Sequence, residues 1–236
     1  ISPTIFGAVF ESTLNPETRR SGGMHYTSIE NIHKVIDPLF LDGLREELAA
    51  IKEIAVDKTR DGKLRAFQNK LAHLTFLDPA CGSGSLLIRA ADEAPFEIAI
   101  WGQEKEVTTA GLAKMNLVLH NKAAGEIKAG NTFSSPHYFE EGSDDEVLKR
   151  FDFAVANPPF SLKNWTDGLR EFGRFDGYGD RPPEKNGDFA WLLHILKSLK
   201  STGKAAVILP HGVLFRGNAE ATIRKSIIDK GYIKGI

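Results

Sequence analysis

The chain has 236 residues, of which 42% are hydrophobic and 26% charged, a composition that fits one large globular domain or one domain with a small extension. Thirty Lys and Arg residues balance 31 Asp and Glu residues, so the net charge of -1 gives no sign of a nucleic-acid partner. The single cysteine, Cys81, excludes an intrachain disulfide framework; no metal-ligand cluster is evident, and no apolar run reaches the ~18 residues of a membrane span. We expect a cytoplasmic protein without a membrane anchor or a metal ion.

Residues 1–73 have the pattern of helices. The sequence TSIE at 27–30 has the form of a capping box, with Thr27 as the cap. Apolar residues follow at helical spacing, although Pro38 is expected to kink or split that helix. We interpret residues 1–73 as a helical N-terminal segment.

From residue 74 onward, short apolar runs alternate with helical patterns. Strands are predicted at 74–77, 96–102, 126–133, 151–157 and 204–210, and helices at 85–94, 106–121, 186–200 and 217–229. This alternation predicts an α/β fold over 74–236, with a doubly wound, mostly parallel sheet that binds its ligands at the carboxyl ends of the strands. The last residues, GYIKGI, have the pattern of a strand that is beginning, so we expect the natural polypeptide to continue.

The first strand is followed by the Gly-rich sequence DPACGSGSLL at 78–87. Gly82 and Gly84 allow a tight turn and close backbone approach, and the next helix presents its positive amino end to a ligand. Leu87 stands where a dinucleotide-binding motif has its third glycine, which disfavours a pyrophosphate site. Asp78 suits a cation or an amino group better than a phosphate. A purely structural turn is the alternative.

The next two strands also end in polar or aromatic residues. Glu104 follows the second strand, where a carboxylate can accept hydrogen bonds from both hydroxyl groups of a ribose. A solvated surface glutamate is the alternative. Asn131 and Phe133 follow the third strand, and Asn131 could instead be only a turn residue.

The fourth strand ends in NPPF, residues 157–160. Pro158 and Pro159 hold the chain extended and lack N–H groups, so nearby carbonyls are left to accept hydrogen bonds from a ligand. The Asn157 amide oxygen and a backbone carbonyl can together hold both hydrogens of an exocyclic amine, and Phe160 offers a stacking face to a planar base. A buried structural turn is the alternative, but it explains neither the amide nor the aromatic ring.

DPACGSG, GQE and NPPF, in this order and at these separations, resemble the cofactor site and catalytic motif of the DNA methyltransferases that act on N6 of adenine. AGLAKMNLVLH, IKAGNTF and the block from DFAWLLH to HGVLFR are similar to the modification subunit of type I restriction-modification systems. This resemblance covers nearly everything after residue 74. Residues 5–28 instead resemble the methyltransferase region of fused type II enzymes, in which cleavage and methylation share a chain.

The resemblance implies a Rossmann-like class I fold that transfers the methyl group of S-adenosyl-L-methionine to an adenine flipped out of double-stranded DNA. The catalytic residues that it implies are Asn157, Pro158, Pro159 and Phe160. The cofactor-binding residues that it implies are Tyr26, Thr27, Asp78, Ala80, Gly82, Ser83, Gly84, Glu104, Asn131 and Phe133. Of these, the Tyr-Thr pair would close over the methionine moiety from the N-terminal segment. The implied partners are a DNA-specificity subunit or a C-terminal target-recognition domain, and a restriction subunit.

The Gly-rich segment 161–187 is expected to cover the flipped base, although its five positive and five negative charges cancel and give no support for phosphate binding. Two rival functions stay open. A methyltransferase that acts on protein glutamine or RNA has a related Asn-Pro-Pro motif, but commonly with Tyr where this chain has Phe160. The other rival is a non-catalytic scaffold that only binds S-adenosylmethionine. A nicotinamide oxidoreductase is disfavoured by the missing third glycine.

Overall fold

The computed structural model describes residues 34–94, 97–144 and 146–236. A π-helical turn at Asp37–Leu41 leads into helices α1 (Asp42–Lys52) and α2 (Asp57–Ala72). Pro38 lies in the first turn of the π-helix, so the irregularity predicted there is found. The capping box at 27–30 lies outside the described residues.

Five parallel strands form one sheet in the order β3-β2-β1-β4-β5. The strands are β1 (Thr75–Asp78), β2 (Ala99–Glu104), β3 (Glu126–Ala129), β4 (Phe151–Ala156) and β5 (Leu199–Val207). The helices are α3 (Ser85–Glu93), α4 (Val107–Leu119), α5 (Asp188–Lys197) and α6 (Ala219–Asp229), with a 3₁₀ turn at His211–Leu214. The strand order reverses between β1 and β4, which confirms the predicted doubly wound α/β fold and places its switch point beside β1.

Alternating side chains of β1 bury against opposite faces of the sheet. Phe76 belongs to a core that also contains residues of α1 to α4, and its ring lies 4.9 Å from that of Phe40 and 4.9 Å from that of Phe153. Leu77 packs on the other face, in a cluster with Phe151 and Ile195. Burial of each such side chain contributes about 1.5 to 3 kcal/mol. The described part of the N-terminal segment thus shares one core with the sheet, and the domain boundary at residue 74 stays a prediction.

β5 begins earlier than its apolar pattern indicates. The predicted helix at 186–200 ends at Lys197, and the strand starts at Leu199 opposite Phe151. The pairing then shifts between Phe151 and Phe153, because β5 bulges before it reaches Lys204. A Cβ on Gly203 would lie 2.9 Å from the Phe151 carbonyl oxygen, so only glycine fits this bulge.

At the other end of the described chain, Tyr232–Ile236 is not assigned to a strand, contrary to the sequence pattern. Within the described ranges, no helix is both long and apolar enough to cross a membrane.

Candidate active site

The carboxyl ends of neighbouring parallel strands bring the predicted residues to one edge of the sheet. Leu77 of β1 pairs with Ala154 of β4, so the residues that follow the two strands leave the sheet side by side. β2 ends at Glu104 on the other side of β1. Asn131 follows two residues after β3, which pairs with β2. The predicted cofactor and base sites therefore share one edge, on either side of β1.

The loop between β1 and α3 needs glycine at two positions. Gly82 has φ +52° and Gly84, which caps the amino end of α3, has φ +76°, a region that residues with a Cβ seldom adopt. A Cβ on Gly82 would meet no atom within 4 Å, so the backbone is open to close approach from outside. This cradle fits a bound small molecule better than a turn packed into the core.

The Glu104 carboxylate lies against this loop. Its Oε2 atom accepts a hydrogen bond from the Gly82 N–H at 3.0 Å, and Oε1 accepts one from the Glu106 N–H at 2.9 Å. Burial raises the pKa of Glu104 above its usual range, although these backbone donors pull it down. Each oxygen keeps a second lone pair for a ligand hydroxyl. A glutamate that is merely solvated does not fit these contacts.

Asp78 is a buried carboxyl group at the end of β1, with 2% of its surface exposed. Its Oδ1 atom accepts a hydrogen bond from the Ala80 N–H at 3.0 Å. Burial raises the pKa of Asp78 to about 8, against the lowering effect of the Ala80 bond and with a further increase from the charge of Glu104. A carboxylate held this way costs free energy unless a donor or a cation binds it, which suits an amino group.

Two buried amides near the loop were not predicted as site residues. Asn116, which is 0% exposed in α4, donates through Nδ2 to the Ser83 carbonyl at 3.0 Å. Gln103 of β2 donates through Nε2 to the carbonyls of Gly130 and Ser135 at 2.9 and 2.8 Å. The sequence feature that could have identified them is a single amide residue among apolar residues, Asn116 in a helix and Gln103 in a strand. Both amides brace loops of the site from behind.

The residues after β3 are placed differently from each other. Asn131 accepts the Phe133 N–H through Oδ1 at 2.9 Å, which is the contact expected of a turn residue. Phe133 is 0% exposed, with its ring 4.4 Å from that of Trp191 and 5.4 Å from that of Trp165. The Phe133 side chain thus packs in the core, and cofactor contacts by either residue stay predictions.

Asn157–Phe160 leave the sheet directly after β4. The Phe160 ring is 37% exposed, whereas Pro158 is buried. The loop ends at Ser161, which has φ +51° and donates its N–H to Oδ1 of Asp188 at 2.6 Å. Asp188 is 0% exposed and was not predicted as a site residue, although it is the first residue of the block DFAWLLH.

Segment 161–187 contains neither a helix nor a strand, yet it is packed. Trp165 and Phe175 are buried and belong to a cluster with residues of α5 and α6. Arg174 is 0% exposed and donates to the carbonyls of Thr132 and Phe133 at 3.0 and 2.9 Å. Burial lowers the pKa of Arg174 to about 10. One of the five predicted positive charges is therefore a buried anchor rather than a surface charge.

Two further observations concern the predicted set. Tyr26 and Thr27 lie outside the described residues. In the part of the chain that is described, no group of three or more His, Cys, Asp or Glu residues is arranged to hold a metal ion.

Known proteins are similar to this chain in sequence. The profile of the N-6 DNA Methylase family matches residues 64–236. The chain is 34% identical over 174 residues to the methylase subunit of the type I restriction enzyme MjaVII of Methanocaldococcus jannaschii, covering 68% of this chain and 28% of that protein. It is 32% identical over 169 residues to the MpnII methylase subunit of Mycoplasma pneumoniae, covering 67% and 31%.

A solved structure is similar as well. The crystal structure of the methyltransferase subunit of a type I restriction-modification system from Streptococcus thermophilus matches with a TM-score of 0.60 and 36% identity, over 70% of this chain and 36% of that one. The chain thus spans about a third of the length of the relatives it matches.

Proposed function

The chain belongs to the N-6 DNA methylase family, and on this premise we propose that it transfers a methyl group from S-adenosyl-L-methionine to N6 of an adenine in double-stranded DNA. The observation that carries the proposal is the common sheet edge. There, the Gly82–Gly84 cradle, the buried Asp78 at the end of β1 and the half-buried Glu104 at the end of β2 lie beside the Asn157–Phe160 loop after β4.

The residues around the cradle fit S-adenosylmethionine. The open backbone at Gly82 admits a ligand, and the Glu104 carboxylate at the loop wall has lone pairs for the ribose hydroxyls. Asp78, with its carboxyl group held in a dry environment, accepts a hydrogen bond from a ligand amino group. Tyr26 and Thr27 complete the cofactor set through the resemblance to related enzymes. When bound, S-adenosylmethionine supplies the electrophilic methyl group.

The Asn157–Phe160 loop holds the nucleophile. The exocyclic amine of adenine is a poor nucleophile because its lone pair is delocalised into the ring. The Asn157 side-chain oxygen and the Pro158 carbonyl accept its two hydrogens, which favours a tetrahedral nitrogen with its lone pair available. Fixed acceptors of this kind lower the barrier through positioning and electrostatics. Phe160 stacks on the base, which offsets part of the cost of extruding it from the duplex.

Methylation is site-specific in this proposal, with DNA-sequence recognition supplied from outside the described residues. Base edges are read by side chains that a recognition element inserts into a groove, and the described elements form the sheet and its packing. A DNA-specificity subunit or a C-terminal target-recognition domain takes this role, with a restriction subunit as a further partner in the same system. As part of a restriction-modification system that acts on cellular DNA, the protein is proposed to work in the cytoplasm.

The proposal is tested by offering S-adenosylmethionine with a tritiated methyl group to unmethylated DNA, RNA and a release-factor protein in parallel, using the full-length protein with its specificity partner where methylation requires one. We expect label in DNA alone, on adenine N6, and none with Asn157→Ala. That variant should keep its cofactor affinity within about threefold, because the amide contacts the substrate amine rather than the cofactor. Label in RNA or protein would favour the rival methyltransferases, and cofactor binding without transfer to any acceptor would favour the scaffold.

A further inference from the structure

A buried carboxylate joins the Asn157–Phe160 loop to a distant part of the chain. Asp188, the first residue of α5, has Oδ1 at 2.6 Å from the Ser161 N and Oδ2 at 2.7 Å from Nη1 of Arg216. Its side chain is 1% exposed, whereas that of Arg216 is 27% exposed. Residues far apart in the sequence therefore meet at one carboxyl group.

The contact lies where the loop needs an anchor. Pro158 and Pro159 have no N–H to give, so the first backbone donors after Asn157 are the N–H groups of Phe160 and Ser161. Ser161 has φ +51°, a conformation that residues with a Cβ seldom adopt, and it must be held there by its surroundings. A carboxylate at the amino end of a helix is a strong acceptor for that purpose, because a charged partner shortens and strengthens the bond.

The second oxygen of the Asp188 carboxylate, Oδ2, also has a defined partner. Nη1 of Arg216 bonds to Asp188 and also to Oε1 of Glu220 at 3.2 Å. Glu220 is 2% exposed, so the cation is shared by two buried carboxylates. A Cβ on Gly212 would collide with the guanidinium group, so glycine at this position leaves room for Arg216. The block HGVLFR thus contains both Arg216 and the glycine that leaves room for its guanidinium group.

We infer that Asp188 is a positioning residue that holds the Asn157–Phe160 loop in its reactive conformation through the Ser161 N–H, with Arg216 fixing the orientation of the carboxylate. The inference rests on the proposed function. It implies that loss of the carboxylate slows methyl transfer without weakening cofactor binding, because the cofactor residues are attached to β1 and β2 and Asp188 is not among their contacts.

The chain offers a matched control for this test. Glu220→Gln removes a carboxylate that is nearly as buried as Asp188 and bonds to the same Arg216, whereas the Ser161 N–H bonds to Asp188 and not to Glu220. In Asp188→Asn, the amide oxygen should turn to Arg216, whose charge makes the stronger bond, and leave the amide NH₂ facing the Ser161 N–H. If Asp188 served only the stability of the buried ion pair, the two variants would behave alike.

The measurement uses the full-length protein, with its specificity partner where methylation requires one, and unmethylated genomic DNA as substrate. For Asp188→Asn we expect kcat to fall about 10- to 100-fold, with the Kd of S-adenosylhomocysteine unchanged and faster hydrogen exchange at the Ser161 amide. Glu220→Gln should lower the unfolding temperature but keep kcat within about threefold of the parent.

The inference would be overturned if the two variants had equal kcat values, or if the Ser161 amide of Asp188→Asn exchanged hydrogen at the rate of the parent. The proposed function would still hold in that case, provided that the parent methylates DNA. A parent that methylates no DNA would overturn both. Should Asp188→Asn fail to fold, Gly212→Ala displaces Arg216 instead. We expect this variant to lower kcat at unchanged cofactor Kd, and parental kcat would contradict the inference.

Discussion

At the scale of single residues, the site residues lie in two different environments. Asp78 is buried and Glu104 is half-buried, and both carboxyl groups accept hydrogen bonds from backbone N–H groups of the loops at this edge. Phe160 keeps more than a third of its surface exposed. A small ligand with fixed polar groups suits the first environment, and an incoming planar base suits the second. Substitutions should therefore separate cofactor affinity from turnover.

Glu104→Ala should weaken the binding of S-adenosylhomocysteine about 10- to 100-fold, because a charged hydrogen-bond partner contributes about 1.5 to 3 kcal/mol. It should also lower the unfolding temperature, since the Gly82 and Glu106 N–H groups lose their acceptor. Isothermal titration and thermal denaturation measure the two effects. Glu106→Ala is the control, because this side chain is exposed and acts on Glu104 only through its charge, so both quantities should change much less. Parental affinity in Glu104→Ala would remove Glu104 from the cofactor site.

Phe160→Ala should lower methyl transfer strongly and Phe160→Tyr or Trp much less, because a flat aromatic face is what stacking requires. Stacking contributes about 1 to 3 kcal/mol per base, so the loss should shrink when the target adenine lies opposite a mismatch or an abasic site. Turnover on matched and mismatched duplexes measures this. A ring that only plugs the core would instead give an unstable Ala variant whose activity falls equally on both substrates.

At the scale of elements, the sequence pattern predicts the strands and helices that are determined by residues close together in the chain. Alternating apolar runs and helical periods located the strands and helices from residue 74 onward, and the Gly-rich and Asn-Pro-Pro motifs lie at the carboxyl ends of β1 and β4, as predicted. The start of β5 was missed, because Leu199 joins the sheet through its pairing with Phe151 and not through its own pattern. The packing of 161–187 was missed for the same reason, because Trp165 packs against Phe133, which lies outside the segment in the loop after β3.

Arg174 is the anchor of that segment, so Arg174→Lys should loosen it. The guanidinium donates to carbonyls on both sides of a packed interface, those of Thr132 and Phe133 and those of Arg170 and Glu171. An ammonium group cannot span this fork. We expect a loss of about 2 to 3 kcal/mol in unfolding free energy and faster proteolysis within 161–187.

Arg181→Lys is the matched control for this measurement. Arg181 lies in the same segment, but its ion pair with Glu171 is half exposed and should contribute at most about 1 kcal/mol. Equal protease sensitivity of the two variants would show that Arg174 does not hold the segment.

At the scale of the whole molecule, the pKa of one acidic residue is raised at the carboxyl edge of the sheet and that of another is lowered at the amino edge. At the carboxyl edge, burial raises the pKa of Asp78 to about 8. At the amino edge, Asp152 is partly desolvated, which raises its pKa, but hydrogen bonds from Lys200 and Thr75 outweigh this and lower it below the usual 3.8. Asp78 at the carboxyl edge therefore costs stability, and Asp152 at the amino edge contributes it.

Asp78→Asn and Asp152→Asn should consequently change stability in opposite directions with opposite pH dependence. A raised pKa means that folded Asp78 keeps a proton that the unfolded chain loses, so its cost grows as pH rises from about 4 and is complete above about 8. Asp78→Asn should thus raise the unfolding temperature at about pH 9, by about 2 to 8 °C for a gain of about 1 to 2 kcal/mol, and much less at about pH 4.

Asp152 contributes stability above its usual pKa and loses it as pH falls through its lowered value, so Asp152→Asn should destabilise the protein at neutral pH and less so in acid. Only Asp78→Asn should weaken S-adenosylhomocysteine binding, because Asp152 lies at the edge away from the site. Thermal denaturation across this pH range with isothermal titration measures all of these effects, and an Asp78→Asn protein that is less stable than the parent at about pH 9 would contradict the assignment of a strained, ligand-directed carboxylate at the end of β1.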